Sequence, residues 1–324
     1  MSDRVQDRID RLCKPPGSLG DLEQLAATLC RLQQTTTPST RPRAVTIFAA
    51  DHGVVAEGVS AWPSTVTAAV AEVMLAQRTA SGVFARELGC RYEVVDVGLL
   101  RVVGDAKTAV RRGTANLRTG PAMTIDEATA ALGVGRRSAR AAIDEGCRLL
   151  IGGEMGIGNT TPATCLIARF CSLDPAEIVG RGAGVDDAGL GRKRAVVAEA
   201  VARVVGLSDP IAIAAEVGGL EIVALAGYFL EAAASECIVL VDGLIATAAA
   251  VLAQAIDPDA CDWMLATHRS VEPGHLAALD RLGLSPILDL NMRLGEATGA
   301  LAALPLLDLA AAMMTMATLD ELPS

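Results

Sequence analysis

Glycine-rich segments carry most of the residues in this chain whose types and spacing suit chemistry. Gly153-Glu154-Met155-Gly156-Ile157-Gly158-Asn159-Thr160 has the glycine spacing of a phosphate-cradling loop. Asn159 stands where such a loop needs its lysine, so a triphosphate would lack its strongest counter-charge and an NTPase is excluded; a backbone nest for a smaller anion is retained. A tight turn whose glycines serve only packing is the ordinary reading of such a loop alone. Glu154 shifts that balance, because a carboxylate inside a glycine loop is costly without a partner or a task.

A second cluster, Gly180-Arg181-Gly182-Ala183-Gly184-Val185-Asp186-Asp187, suits a monophosphate held by backbone amides and a helix N-terminus. Val185 occupies the third-glycine place of a dinucleotide fingerprint, which is therefore not matched. Lys193 follows on the same predicted helix; flanked by Arg192 and Arg194, it reads, taken alone, as part of a solvated basic face. Asp51 and His52 invite a metal or a general base. With only His268 and His275 besides, and at no ligand spacing, a turn-stabilising pair is the better reading and no metal is expected. His268 and His275 bracket Ser270, Glu272 and Gly274 in a segment suited to a polar substrate group. No G-x-S-x-G elbow exists, which argues against a serine hydrolase. Gly295-Glu296-Ala297-Thr298-Gly299 is either a third ligand-facing turn or a helix start with an acid in its first turn.

These segments need a scaffold, and the composition limits which. The chain has 324 residues, 51% of them hydrophobic, 20% charged and only 2% aromatic, with a net charge of −10. That is too apolar for a disordered chain, and too acidic and too poor in stacking rings for nucleic acid. The longest uncharged stretch, Gly243 to Ile256, is shorter than a membrane-spanning helix, and the charged N-terminal segment does not resemble a secretory signal. Membrane partners are not expected. The cysteines, at 13, 30, 90, 147, 165, 171, 237 and 261, show no C-x-x-C and read as reduced thiols of a cytoplasmic protein without structural zinc.

Short apolar runs at Val45–Phe48, Tyr92–Val97, Leu149–Ile151, Ile211–Val217, Ile238–Val241 and Trp263–Ala266 read as strands, most followed by Ala-rich amphipathic segments. The expected fold is α/β, a Rossmann-like, mostly parallel sheet of about six strands flanked by helices. Each run leads into Gly and polar residues (49–53, 96–98, 152–161, 216–221, 242–244 and 267–275), which places one ligand site at the carboxyl edge of the sheet. Val5, Ile9 and Leu12, then Leu22, Leu25, Leu29 and Leu32, mark two N-terminal helices, with Ser18 a candidate cap for the second. The apolar C-terminal helix is expected to rejoin them. Segments 1–40 and 300–324 would then form a small helical subdomain, and 41–299 a large α/β domain.

In order along nearly the whole chain, KPPGSLGDLEQLA (14–26), FAADHGV (48–54), GVSAWP (58–63), RRGTANL (111–117), GPAM (120–123), GGEMGIGNTTPA (152–163), VGRGAGVDD (179–187), VGGLEI (217–222), VDGLI (241–245), HRSVEPGH (268–275) and MRLGEATGA (292–300) resemble the nicotinate-nucleotide:dimethylbenzimidazole phosphoribosyltransferase family. The resemblance implies phosphoribosyl transfer from nicotinate mononucleotide to 5,6-dimethylbenzimidazole, giving α-ribazole 5′-phosphate and nicotinate in cobalamin biosynthesis. It implies no cofactor, because the pyridinium is already a good leaving group, and a homodimer. It also assigns Glu154 and Lys193 to the active site and the glycines of 180–184 to a phosphate-binding region.

The same resemblance puts Trp62 and Val70 at an aromatic-base pocket and, with the local readings above, makes Met155, Gly156, Gly158, Asn159, Gly180, Gly182, Ala183, Gly184, His268 and Ser270 candidate substrate contacts. Relatives place a general-base Glu two residues after a Met near the C-terminus, where this chain has Thr318 after Met316. Glu321, with Asp320 as its competitor, or Glu154 itself, is the candidate replacement. A paralogue that uses another base, and a non-catalytic nucleotide-binding protein of the same fold, stay open beside the leading reading.

Overall fold

In the computed structural model, which describes residues 2–322, the chain opens with helices α1 (Ser2–Arg11) and α2 (Asp21–Leu32). The first strand, β1 (Arg43–Ala50), is followed by α3 (Thr65–Leu75), α4 (Ala80–Glu87), β2 (Arg91–Gly98), α5 (Ile125–Asp144) and β3 (Leu149–Met155). Next come α6 (Thr160–Cys171), α7 (Pro175–Ile178), α8 (Asp187–Val204), α9 (Pro210–Val217) and α10 (Leu220–Ala234). The chain continues through β4 (Ile238–Val241), α11 (Leu244–Ile256), β5 (Met264–Ala266), α12 (His275–Leu282) and α13 (Thr298–Met313). The five strands form one parallel sheet in the order β2-β1-β3-β4-β5.

The alternation of side chains along β1 explains why both faces are covered. Ala44, Phe48 and Ala50 point into a core shared with α5, α6 and α8 to α11, and Thr46 reaches Tyr228 of α10 on the same side. Val45, Ile47 and Ala49 point the other way, into a core shared with α1 to α4 and α13. Every residue of β1, β3 and β4 is buried, as a parallel sheet with helices on both faces requires. With few aromatic rings, glycine and alanine permit this packing. A Cβ on Gly135 of α5 would drive into the Ala224 carbonyl of α10, and one on Gly227 of α10 into the Leu132 carbonyl of α5.

The sixth expected strand, Ile211–Val217, is the helix α9. Pro210 holds its first position, and the Asp209 carboxylate accepts the backbone N–H groups of Ile211 and Ala212 at 3.1 and 3.3 Å, a strong N-terminal signal that overrides a β-branched run. Ser18 does not cap α2. Gly20 takes that place, and the buried Glu23 accepts the Leu19 N–H (2.9 Å) and pairs with Lys14 (2.9 Å).

The two ends of the chain meet. Cys13 donates its N–H to Ala317 O (2.8 Å), Leu12 bridges Thr318, and the Arg8 guanidinium reaches the carbonyls of Met314 and Met316. The α13 helix lies on α2 and α4, tied to β1 where Asp308 accepts Arg43 at 2.7 Å.

Candidate active site

The carboxyl ends of β3, β4 and β5, together with the turn before α13, surround a cleft of about 340 Å³. Its floor is Glu154, the penultimate residue of β3 just before the Gly156–Asn159 loop and only 7% exposed. Asn159 donates its amide to one Glu154 oxygen, and the Glu296 backbone N–H approaches the other at 3.4 Å. Burial lifts the Glu154 carboxyl to about 8, with Glu221, Asp242 and Glu296 adding repulsion. Glu296, in a left-handed turn with Ala297 (φ 58° and 63°), is itself raised by burial and by Asp242 to about 7.

One wall is apolar. Val59, Trp62, Val66 and Val70 line it from the segment after β1 and from α3, with Trp62 the most exposed at 54%. The rest of the lining is mixed, with the small residues Gly182, Ala183 and Gly243, the polar His268, Ser270 and Glu272, and the apolar Leu244 and Ile245. The 268–275 segment is pinned by His275, whose Nδ1 accepts the Ser270 N–H (3.1 Å) and whose Nε2 lies 3.0 Å from Thr247 Oγ1. Burial lowers His275 to about 4, so at neutral pH it is an uncharged structural bracket. His268 stands in the wall with its Nδ1 3.6 Å from Asp242, and Asp242 in turn accepts the Ala300 N–H (2.9 Å) at the start of α13.

Trp62, Val70, Glu154, Met155, Gly156, Gly158, Asn159, Gly182, Ala183, His268 and Ser270 thus converge on one cleft. Lys193 is not the solvated residue its neighbours suggested. Fully buried, it runs beneath the 180–184 turn and donates to Thr160 Oγ1 (2.6 Å) and Gly180 O (3.1 Å). Desolvation depresses its ammonium to about 8, partly offset by Glu272. Gly180 and Gly184 shape that turn without lining the cleft.

Glu321 and Asp320 lie outside this cleft. Glu321 accepts the Thr318 N–H (2.7 Å) in a separate depression with Arg4, Arg8 and Arg11, and Asp320 pairs with Arg11. Asp51 is a turn residue that accepts the Leu100 N–H (2.8 Å). Among the described residues no three His, Cys, Asp or Glu side chains converge as metal ligands, and every cysteine is unpaired.

Arg293 and Glu272 also line the cleft; both lie in segments that the sequence singles out, 292–300 and 268–275, but neither residue was among the expected substrate contacts. Residue-level reading of the sequence missed the pairing of His52 with Glu221, whose only trace was that both occupy strand-end or glycine-flanked segments. Their side chains are fully buried and meet at 2.7 Å.

A phosphoribosyltransferase family profile matches residues 1–322. The nicotinate-nucleotide–dimethylbenzimidazole phosphoribosyltransferase of Thermus thermophilus is 48% identical over 318 residues, covering 97% of this chain and 95% of the relative. That of Chromobacterium violaceum is 49% identical over 319 residues, covering 96% and 92%. A crystal structure of CobT from Thermus thermophilus superposes with a TM-score of 0.96 at 47% identity, covering 99% of this chain and 97% of that one.

Proposed function

Because the chain belongs to the nicotinate-nucleotide–dimethylbenzimidazole phosphoribosyltransferase family, we propose that its cleft transfers the phosphoribosyl group of nicotinate mononucleotide to 5,6-dimethylbenzimidazole, in the synthesis of the cobalamin lower-ligand nucleotide. The observation that carries this reading is Glu154. It is a buried carboxyl at the floor of a cleft with an apolar wall on one side and a mixed lining that includes glycine and polar residues.

The apolar wall of Val59, Trp62, Val66 and Val70 suits a flat aromatic base, while Gly182, Ala183 and Ser270 offer backbone and hydroxyl contacts to a sugar phosphate. Lys193 supports the phosphate turn from below and supplies positive charge close to it. The substrate pyridinium and the oxocarbenium-like C1′ are both cationic, and an arriving cation favours the ionised forms of the acids gathered around the floor, Glu154 with Glu221, Asp242 and Glu296 beside it.

In the transfer, the imine nitrogen of the benzimidazole gives its electron pair to C1′ on the face opposite the departing ring. The glycosidic C–N bond breaks, its pair returns to the pyridine nitrogen, and the configuration at C1′ inverts. The benzimidazole N–H proton then goes to Glu154. A group near 8 in the empty cleft is well suited to this. The arriving pyridinium favours the carboxylate, and once that ring has become neutral the carboxylate regains its high proton affinity and can accept the proton. No cofactor enters these steps.

The reading extends to a homodimer working in the cytoplasm; among the described residues no helix is long and apolar enough to cross a membrane. In this chain the acids at positions 320 and 321 are engaged at the joined chain ends, so the acceptor is drawn from the acids that line the cleft, of which Glu154 is the one on its floor. The direct test incubates purified protein with nicotinate mononucleotide and a panel of dimethylbenzimidazole, unsubstituted benzimidazole, adenine and a phenol. Nicotinate release with dimethylbenzimidazole is the expected result. Release only with another base would move the assignment to a paralogous reaction, and binding without release would overturn it.

A further inference from the structure

Behind the Glu154 loop lies a polar pair that the steps above do not use. His52 follows β1, and Glu221 sits in the first turn of α10; both side chains are entirely buried, with Nε2 of His52 2.7 Å from Oε1 of Glu221. Neither His52 Nδ1 nor Glu221 Oε2 has a hydrogen-bond partner among the described residues. A proton on Nδ1, in an imidazolium with a carboxylate or a neutral ring with a carboxylic acid, would be a buried donor without an acceptor, and so would a proton on Oε2 of a neutral acid beside an Nε2–H ring. The remaining arrangement is an imidazole whose Nε2–H donates to an ionised Glu221. The N-terminus of α10 favours that negative charge.

The pair abuts the loop that carries the candidate site. A Cβ on Gly156 would lie 2.8 Å from His52 Nε2 and 3.0 Å from Glu221 Oε1, and one on Gly219 would lie 3.0 Å from Glu221 Oε2. Glycine at position 156 thus lets the backbone between Glu154 and Asn159 rest directly on the His52–Glu221 hydrogen bond. Two buried polar groups left partly unsatisfied are expensive to keep in a fold of this kind, and an apolar pair would fill the space without that cost.

We propose that the buried His52–Glu221 pair is a positioning element of the transfer reaction, seating the Gly156–Asn159 loop and holding one fixed negative charge behind Glu154. The proposal rests on Glu154 as proton acceptor. Glu221 is the largest charged contributor, after burial, to the raised proton affinity of Glu154; the other acids facing it are Asp242 from the end of β4 and Glu296 from the turn before α13. His52 keeps the Glu221 carboxylate in place and orients one of its oxygens, while Gly156 leaves no side chain between pair and loop.

The test reads the Glu154 carboxyl directly, by carbon-13 NMR titration of glutamate-labelled protein with Glu154→Gln as the assignment control. Nicotinate release is followed across the same pH range. In the native protein the Glu154 midpoint is expected near 8. Glu221→Gln should lower it by about 1 pH unit and carry the acid limb of kcat/KM with it, and Glu221→Asp, which keeps the charge, should restore most of the shift. A Glu221→Gln protein that folds normally and leaves the midpoint in place would overturn the proposal. So would a native midpoint in the ordinary carboxyl range, a result that needs no variant to fold. If native protein releases no nicotinate while the NMR shift responds to Glu221→Gln, the reaction reading falls and the electrostatic coupling is upheld.

Discussion

Glu154 ionises against its surroundings, and this has consequences for both activity and stability. Glu154→Gln keeps the amide-sized side chain and the Asn159 contact but can accept no proton, so kcat is expected to fall about 100- to 10,000-fold with the fold intact. The stability effect depends on pH. The folded protein holds this carboxyl near 8, against an ordinary value of 4.5, and therefore binds the proton more tightly than the unfolded chain does. Below about 4.5 both states are protonated and Glu154 has no net influence; as pH rises from there through 8 the native protein progressively loses stability. Calorimetry should show Glu154→Gln matching the native protein at pH 4.5 and melting higher at pH 9. Lys193→Met should act on binding instead, raising the KM for nicotinate mononucleotide about 10-fold or more, because the 180–184 turn loses the ammonium that ties it to Thr160. Glu154 was legible in the sequence because a carboxylate between glycines is unusual. Lys193 was not legible from its immediate neighbours. Successive residues on a helix point about 100° apart, so Arg192 faces outward to Gly58 O while Lys193 enters the core.

Five strands were readable from apolar runs bounded by glycine and polar residues, and their parallel pairing followed from the helices between them. The misassigned run shows where that reasoning fails. Ile211–Val217 has the composition of a buried strand, and a run this short has no periodicity to distinguish the two states; the Asp209-Pro210 start was the informative signal. Asp209→Ala should cost about 1 kcal/mol in urea denaturation, as expected when a helix cap is removed. The contact of α5 with α10 makes a stronger demand. Gly135→Ala forces a methyl into the Ala224 carbonyl, a backbone atom that cannot rotate away, and should cost about 3 kcal/mol or prevent folding. Gly120→Ala, where a Cβ would meet nothing within 4 Å, is the matched control and should change the urea midpoint little.

Over the whole chain, the ordered motifs identified the family more securely than any single loop, while the meeting of the termini was expected only because chain ends commonly pack together, since apolar helices carry no address for their partners. The structure brings residues 12–13 to 317–318 within one chain and leaves the acids at 320 and 321 facing the arginines of α1. Sedimentation is expected to give a dimer, and a monomer at working concentration would remove that part of the proposal. Asp320→Asn and Glu321→Gln, compared with Glu154→Gln, decide which carboxylate takes the proton. The largest loss is expected at Glu154, whereas a comparable loss at Glu321 would assign the task to a terminus supplied by a second copy.

The ammonium of Lys193 has one more consequence. Shut beneath a glycine turn, it is shielded from the ionic atmosphere that screens surface charges. In the proposed complex, added potassium chloride should therefore weaken capture of the mononucleotide far less than it weakens capture by enzymes that grip phosphate with solvent-facing lysines.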